Sequence, residues 1–436
     1  MLAAMPEQLE VPLNSNVLQK QDFSVHEWYR FVLSFPAHLV QKYLEAFDSQ
    51  PETDTVFDPF CGTGTTLVEG KKLGFQVYGC DSHPFAALVS SVKTNWDLDV
   101  AGLRDSFAKV KRRIQRENKA HLVDGHTENG YELSKDEIKL MPEGFVSPKP
   151  LLKLLIVRDA ILERQLEDPI RNFFLVALAH TIANGAGNFA FGPEIYRTKP
   201  KRDYEVFEHF LGRSEQMISE LADVREHLTF KSSRVFRTDA RFLKGIPEDI
   251  SRVITSPPYP NEKDYTRTTR VEALLLKIFS DRAGLRAVKN ELLRSNTRNI
   301  FVKDDDGNHV ADFPSIQRIC TEIEARRIEL KKTSGFEKLY HKVVAHYFGG
   351  MRLHFRALKS KLRKGAKLAY VVGDQMSFLM VKVPTALLLD EVARAEGYKV
   401  TGCDLWRERV GTKVRNCPDN QKTVRVREEV LLLEKP

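Results

Sequence analysis

Apolar positions along the chain alternate between two rhythms. Leu39, Val40, Tyr43, Leu44 and Phe47 recur at helical spacing and predict a helix over 36–47. A short β-run, Thr55-Val56-Phe57, then ends at Asp58 and opens into the loop Pro59-Phe60-Cys61-Gly62-Thr63-Gly64-Thr65. The pattern predicts a helix over 65–73 and a second strand over 75–80, ending at Asp81. Strand, glycine loop, helix, strand and acidic residue make one βαβ unit.

From about 97 to 235 the period is helical. Helices are expected over 101–119, with its basic run LysValLysArgArg, and over 151–166 and 168–183. Over 207–228, Phe207, Phe210, Leu211, Met217, Ile218, Leu221, Val224 and Leu228 form one stripe. The polar stretch 120–150 reads as a loop or a poorly ordered segment. The most apolar stretch, 173–191, holds His180, Asn184, Asn188 and two glycines, so it reads as a buried helix and loop rather than a membrane span.

The sheet pattern resumes at 234–237, ahead of Thr238-Asp239-Ala240-Arg241, and at 252–255, which runs into Ser256-Pro257-Pro258-Tyr259. A second mostly helical stretch fills about 262–345. Phe348, Met351, Phe355, Leu358 and Leu362 then repeat at helical spacing before a near-continuous apolar strand over 367–373. A helix over 387–395 and strands over 398–403 and 429–433 complete the chain. The whole reads as one α/β domain interrupted twice: parts at 1–96, 235–275 and 345–436, with helical insertions at 97–234 and 276–344.

Composition narrows the class without naming an activity. The 436 residues leave room for two or three structural units, and 42% hydrophobic with 29% charged excludes a disordered, fibrous or disulfide-stapled chain. Lys and Arg exceed Asp and Glu by 67 − 59, a net +8, which permits a polyanionic partner. Five scattered cysteines with no CxxC pair fit a reducing cytoplasm and give no zinc-site spacing. The N-terminal stretch lacks the basic and apolar regions of a secretory signal.

Two segments carry chemistry. The glycine loop after Asp58 lets a ligand approach the backbone and the N-terminus of the next helix. The third glycine of GxGxxG is missing, and Asp58 repels phosphate but attracts an ammonium or sulfonium. Asp81, 81 − 58 = 23 residues later, can accept from ribose hydroxyls. Taken alone, the loop also fits a purely structural turn. In the second segment, two prolines end the ladder at Ser256, leaving carbonyls and the hydroxyl as acceptors beside the flat face of Tyr259. Acceptors and an aromatic plate suit an exocyclic amino group on a nucleobase, although a proline-punctuated strand end with a chance tyrosine reads the same way. Just beyond, Lys263, Tyr265, Arg267 and Arg270 form a candidate nucleic-acid-contacting strip, or alternatively a solvated helix start.

In this order, DPFCGTGT, GCDSHPFA, TDAR and TSPPYPNEKDY resemble the S-adenosylmethionine-dependent amino-methyltransferases of DNA. The serine of the catalytic tetrapeptide is most similar to the N4-cytosine branch; aspartate or asparagine there would suggest N6-adenine. The resemblance covers about 35–95, 235–275 and 345–436. It implies a Rossmann-like class I methyltransferase fold, a mostly parallel seven-stranded sheet with helical insertions. It implies that Asp58, Pro59, Phe60, Cys61, Gly62, Thr63, Gly64 and Thr65 surround the methionine part of S-adenosylmethionine. Asp81 and Ser82 match the ribose site, Asp239 and Ala240 the adenine site, and Pro36 in a PheProAlaHis motif the closure over the methionine end. Ser256 is shared with the cofactor, and with Pro257, Pro258 and Tyr259 it matches the catalytic segment.

The expected reaction is direct methyl transfer to N4 of a flipped-out cytosine, with no cysteine nucleophile and no metal. The expected partners are DNA and a cognate restriction endonuclease, in the cytoplasm. N6-adenine methylation, RNA base methylation and a non-catalytic nucleic-acid-binding protein stay as alternatives. The first insertion is a possible DNA-contacting region and the second a candidate target-recognition region.

Overall fold

The computed structural model describes residues 25–31, 34–120, 131–162, 166–191, 194–261, 263–410 and 425–436. A seven-stranded sheet organises them. Its strands are β1 (Thr55–Asp58), β2 (Gln76–Cys80), β5 (Ser233–Phe236), β6 (Ile250–Thr255), β7 (Leu362–Gly373), β8 (Lys399–Val410) and β9 (Arg425–Glu434). The spatial order is β5-β2-β1-β6-β7-β9-β8. Pairing is parallel from β5 through β7; β9 then inserts antiparallel between β7 and β8. This is the strand order of a Rossmann-like class I methyltransferase.

Strand alternation divides the core by face. Val56, Val77, Ile254, Ala369, Val371 and Val430 pack with α1 (Ala37–Ala46) and α2 (Thr65–Lys72). Their neighbours Phe57, Val253, Leu368, Tyr370, Val372 and Leu431 take the opposite face. There they meet α12 (Pro314–Glu329), α13 (Tyr340–Lys359) and α14 (Thr385–Ala395). A third cluster joins α3 (Pro84–Thr94) to the first insertion's α4 (Val100–Asn118), α6 (Pro148–Leu162), α7 (Asp168–Thr181) and α8 (Val206–His227). The short helices α9 (Tyr265–Thr268) and α10 (Arg270–Leu275) follow the segment Ser256-Pro257-Pro258-Tyr259, and α11 (Arg282–Glu291) comes next.

Three expectations are corrected. The polar stretch 120–150 is not simply a loop: α5 (Lys135–Leu140) is closed by a capping box between Ser134 and Glu137, and α6 begins at Pro148. Residues 121–130 lie outside the described set. The apolar stretch ending at Phe191 is not a helix and loop alone. After α7 comes a π-turn at Ile182–Ala186, then a hairpin of β3 (Phe189–Phe191) and β4 (Ile195–Arg197). Strand β8 also runs well past Cys403, to Val410, because β9 pairs along its whole length. Among the described residues, no helix is long and apolar enough to cross a membrane.

Candidate active site

The parallel strands open at their C-terminal ends, and the order reverses between β1 and β6. A ligand crevice is expected at that switch point. Asp58 closes β1 there with 1% of its surface exposed. Its Oδ1 accepts from the Thr255 hydroxyl at 2.5 Å and from the Phe60 amide at 3.0 Å. Its Oδ2 is buried and takes no hydrogen bond from the described residues. Burial pushes the carboxyl up to about 6, against the pull of the Thr255 bond. An orphaned buried carboxylate oxygen is costly unless a cation meets it.

The two glycines of the loop differ. Gly62 has φ +50°, and a Cβ there would meet nothing within 4 Å, so the backbone faces open space. Gly64 has φ +89°, and its Cβ would press on Ser90 of α3 at 3.1 Å. One glycine clears a cradle; the other lets two helices meet. The Gly62 amide donates to Asp81 Oδ2 at 2.9 Å and the His83 amide to Oδ1 at 2.8 Å. Asp81 is thereby fixed with one lone pair left on each oxygen, and burial raises its carboxyl to about 6. Ser82 occupies the bend that follows. Cys61 is buried with its thiol pushed up by desolvation, which suits packing rather than attack.

The loop's surroundings are built from distant segments. Ser34 Oγ lies 3.2 Å from Thr63 Oγ1, placing Pro36, the N-cap of α1, near the loop. Thr65 begins α2, and the carbonyl of Pro59 accepts from the Cys80 thiol at 3.2 Å. Phe60 stands edge-on to His354, ring centres 5.0 Å apart. His354 Nδ1 is 2.8 Å from the Ala240 carbonyl and Nε2 is 2.7 Å from the Tyr370 hydroxyl. Nδ1 therefore donates and Nε2 accepts; burial lowers the imidazole to about 4, so it stays neutral. Asp239 does not offer its carboxylate outward. Both oxygens hold Arg241, which also reaches Asp306 at 2.6 Å.

On the other side of the switch point, β6 and β7 pair in parallel with Thr255 opposite Tyr370. Ser256 therefore reaches the next carbonyl and donates its hydroxyl to Val371 at 3.1 Å. Pro257 is buried, and Pro258 and Tyr259 are half-buried. The Tyr259 ring lies against Gly373, where a Cβ would come within 3.1 Å of it.

The strip beyond the catalytic segment is less open than its sequence suggests. Tyr265 is half-buried, pairs with the Phe31 ring at 6.1 Å, and has its hydroxyl raised by burial and then by Asp81. Arg270 is half-buried, its Nε donating to the Thr266 carbonyl at 3.1 Å. Lys263 is also half-buried. Arg267 pairs at 3.2 Å with Glu194, in the segment joining β3 to β4.

The sequence reading missed three residues here. Tyr347 of α13 is fully buried, its hydroxyl has no hydrogen-bond partner among the described residues, and burial, followed by the nearby Tyr259 and Tyr265, pushes that hydroxyl up. Asp374, 3% exposed, follows β7 with Oδ2 on Lys382 at 2.8 Å and Oδ1 unpartnered. His354 is the third. An acidic residue at a strand end was the available signal for Asp374, the same one that marks Asp58 and Asp81. Tyr347 and His354 sit among ordinary helical core positions and carry no such signal.

The family model described as DNA methylase matches residues 12–90, the stretch that holds Asp58, the glycine loop and Asp81. The type II methyltransferase M.MvaI of Kocuria varians is 24% identical over 299 residues. The chain is similar to the S-adenosylmethionine-dependent DNA amino-methyltransferases. The match to M.MvaI covers 64% of the chain and 64% of that relative. M.BsoBI of Geobacillus stearothermophilus is 23% identical over 95% of the chain and 86% of its own length. TrmN from Thermus thermophilus, a solved structure, aligns with 95% of the chain and 53% of its own at 12% identity and a TM-score of 0.28; the fold rests instead on strand order.

The methyl donor of this family is S-adenosylmethionine, and the crevice fits it. The orphaned Asp58 Oδ2 suits an ammonium, Asp81 keeps acceptors for a ribose, and the cradle at Gly62 is clear of side chains. Among the described residues, no group of three or more His, Cys, Asp or Glu could hold a metal ion.

Proposed function

We propose that the chain methylates DNA at the exocyclic N4 amine of a cytosine swung out of the duplex. One observation carries this reading. Ser256 spends its proton on the Val371 carbonyl, so its oxygen presents only lone pairs at the mouth of the site. A hydroxyl oriented this way accepts from an amino group. Serine at this position, rather than an acidic residue or amide, favours cytosine N4 over adenine N6.

Bound S-adenosylmethionine supplies an already activated methyl group on its sulfonium. The protein's work is positioning. Asp58 and Asp81 fix the donor's two ends, and the Tyr259 ring, held against Gly373, offers its face to the base. The amino lone pair of cytosine is conjugated with its ring. Hydrogen bonds from the amine to Ser256 Oγ and the Pro257 carbonyl favour a pyramidal nitrogen and stabilise the positive charge that develops there. A base inside a duplex cannot reach the pocket, so it leaves the stack first. The type II designation of the relatives supports a paired restriction endonuclease as companion.

The deciding experiment incubates the protein with unmethylated DNA, unmethylated RNA and isotope-labelled donor, followed by nucleoside mass spectrometry. Labelled N4-methyldeoxycytidine is the expected product. Labelled N6-methyldeoxyadenosine would replace the cytosine reading, and label confined to RNA would replace the DNA reading.

A further inference from the structure

The hairpin β3–β4 is braced from below, where Phe189 and Ile195 enter the core of the first insertion. Asn188, buried at its foot, holds it from both sides. Its amide nitrogen donates to the Gly144 carbonyl at 3.1 Å and to Ser147 Oγ at 2.9 Å. Its Oδ1 accepts from the Lys201 amide at 2.9 Å, and its carbonyl from the Thr198 amide at 2.8 Å. Lys201 Nζ ties to the Gly187 carbonyl at 2.8 Å, and Phe145 stacks on Phe189 at 5.6 Å. This bracing costs conformational entropy. It holds in place a ribbon whose outer side chains are in solvent.

Those side chains have one chemistry. Tyr196 is 52% exposed, and Arg197, Lys199 and Arg202 are exposed and take part in no salt bridge among the described residues. The neighbouring acids are already engaged. Asp203 holds Lys149 at 2.5 Å and Lys153 at 2.7 Å, and Glu194 holds Arg267 at 3.2 Å. Glu205, exposed, lies 4.0 Å from Lys153. The Glu194–Arg267 pair also fixes where the ribbon stands: beside α9, a few residues after the catalytic tetrapeptide.

We infer that this hairpin of the first insertion is the docking surface for duplex DNA flanking the flipped base. A major groove admits a two-stranded ribbon, and a three-residue strand spans only about 10 Å. Arg197, Lys199 and Arg202 meet phosphates, and Tyr196 lies along the groove wall. The inference rests on the reading of the chain as a DNA methyltransferase and assigns that role to the first insertion rather than the second.

The test compares two triple variants of the full chain with equal charge loss. One is Arg197→Ala/Lys199→Ala/Arg202→Ala; the other, Arg104→Ala/Lys109→Ala/Arg112→Ala, removes exposed charges from α4. Anisotropy with a labelled unmethylated duplex is read across a salt series, with cofactor affinity by calorimetry as the check on folding. The hairpin triple is expected to lose at least about tenfold in duplex affinity, with a salt slope shallower by roughly 2–3 and unchanged cofactor affinity. The α4 triple is expected to bind like the parent. Parental binding by the hairpin triple, an equal loss in the α4 triple, or preferential RNA binding through the same residues overturns the inference. If the parent makes no methylated nucleoside yet binds duplex through the hairpin, the catalytic reading fails and this one stands. If it methylates and the hairpin triple is unaltered, the reverse holds.

Discussion

The cofactor side and the base side of the crevice are built on opposite principles. Asp58, Gly62 and Asp81 lie within one βαβ unit, and its backbone amides hold both carboxylates, Phe60 N to Asp58 Oδ1 and Gly62 N to Asp81 Oδ2. Ser256 and Tyr259 depend on partners far away in sequence: the Val371 carbonyl and the Gly373 backbone. A donor that never changes is served by a cradle whose loop lies within one βαβ unit, braced from outside by Ser34, Thr255 and His354. A target that must be extracted from a polymer is served by groups gathered from several segments. Substitutions on the two sides should therefore separate binding of donor from chemistry on the acceptor.

The largest separation is expected at Ser256→Ala. Loss of one acceptor aimed at developing charge costs about 10²–10³ in kcat, while the donor's dissociation constant stays near its parental value because Asp58 and Asp81 are untouched. Single-turnover methylation with calorimetric donor binding measures both. A fall in donor affinity as large as the fall in rate would erase the distinction between the two sides.

Asp58→Asn is the counterpart. It keeps the shape and the Thr255 contact but removes the charge opposite the donor's ammonium, a loss of about 2 kcal/mol or roughly thirtyfold in affinity. The rate at saturating donor is expected to change little. An unchanged dissociation constant would show that Oδ2 does not meet the cation.

The same carboxylates predict a pH dependence of intermediate size. Burial raises Asp58 and Asp81 from their ordinary 3.8 to about 6. Between about pH 4 and 6 the folded chain holds protons that the unfolded chain has released, so their contribution to stability falls as pH rises through that window. Donor binding has the opposite slope. It requires ionised Asp58, so affinity should weaken about tenfold per unit below pH 6 and level off towards pH 7. Calorimetry in buffers of different ionisation heat should count the protons released. A flat affinity between pH 5 and 7 would remove the charge pairing.

The same contrast explains what was legible beforehand. β1, β2 and β6 announce themselves because each apolar run stops at a residue that cannot continue it, namely Asp58, Asp81 or Pro257, and those stops line the proposed site. The insertion helices were legible from their apolar positions: α4 and α8 bury a stripe, whereas α7 is buried all round from Phe173 to Thr181. Their bearing on the site was not, because the Glu194–Arg267 pair joins residues 73 apart and no local pattern encodes it. The hairpin escaped because strands of three residues are too short to show alternation. The helix α5 was hidden in a polar stretch, although the SerLysAspGlu capping box was there to be read. Asp239 was read as part of the adenine site, and its carboxylate is held by Arg241, two residues further along.

The smallest effect asks whether the cofactor side is itself uniform. Both loop glycines adopt positive φ, so alanine at either incurs about 1 kcal/mol of backbone strain. At Gly64 a Cβ also presses on Ser90 across the α2–α3 contact, adding about a further 1 kcal/mol of overpacking. At Gly62 the Cβ meets no protein atom and instead enters the space reserved for the donor. Gly64→Ala should therefore lose more unfolding free energy, about 2 kcal/mol, with donor affinity reduced only modestly. Gly62→Ala should lose about half as much stability and a larger share of its affinity. Denaturant unfolding with and without donor resolves the two. Equal losses in both measurements would mean that the glycines share one role and that the open cradle at Gly62 is not where the donor lies.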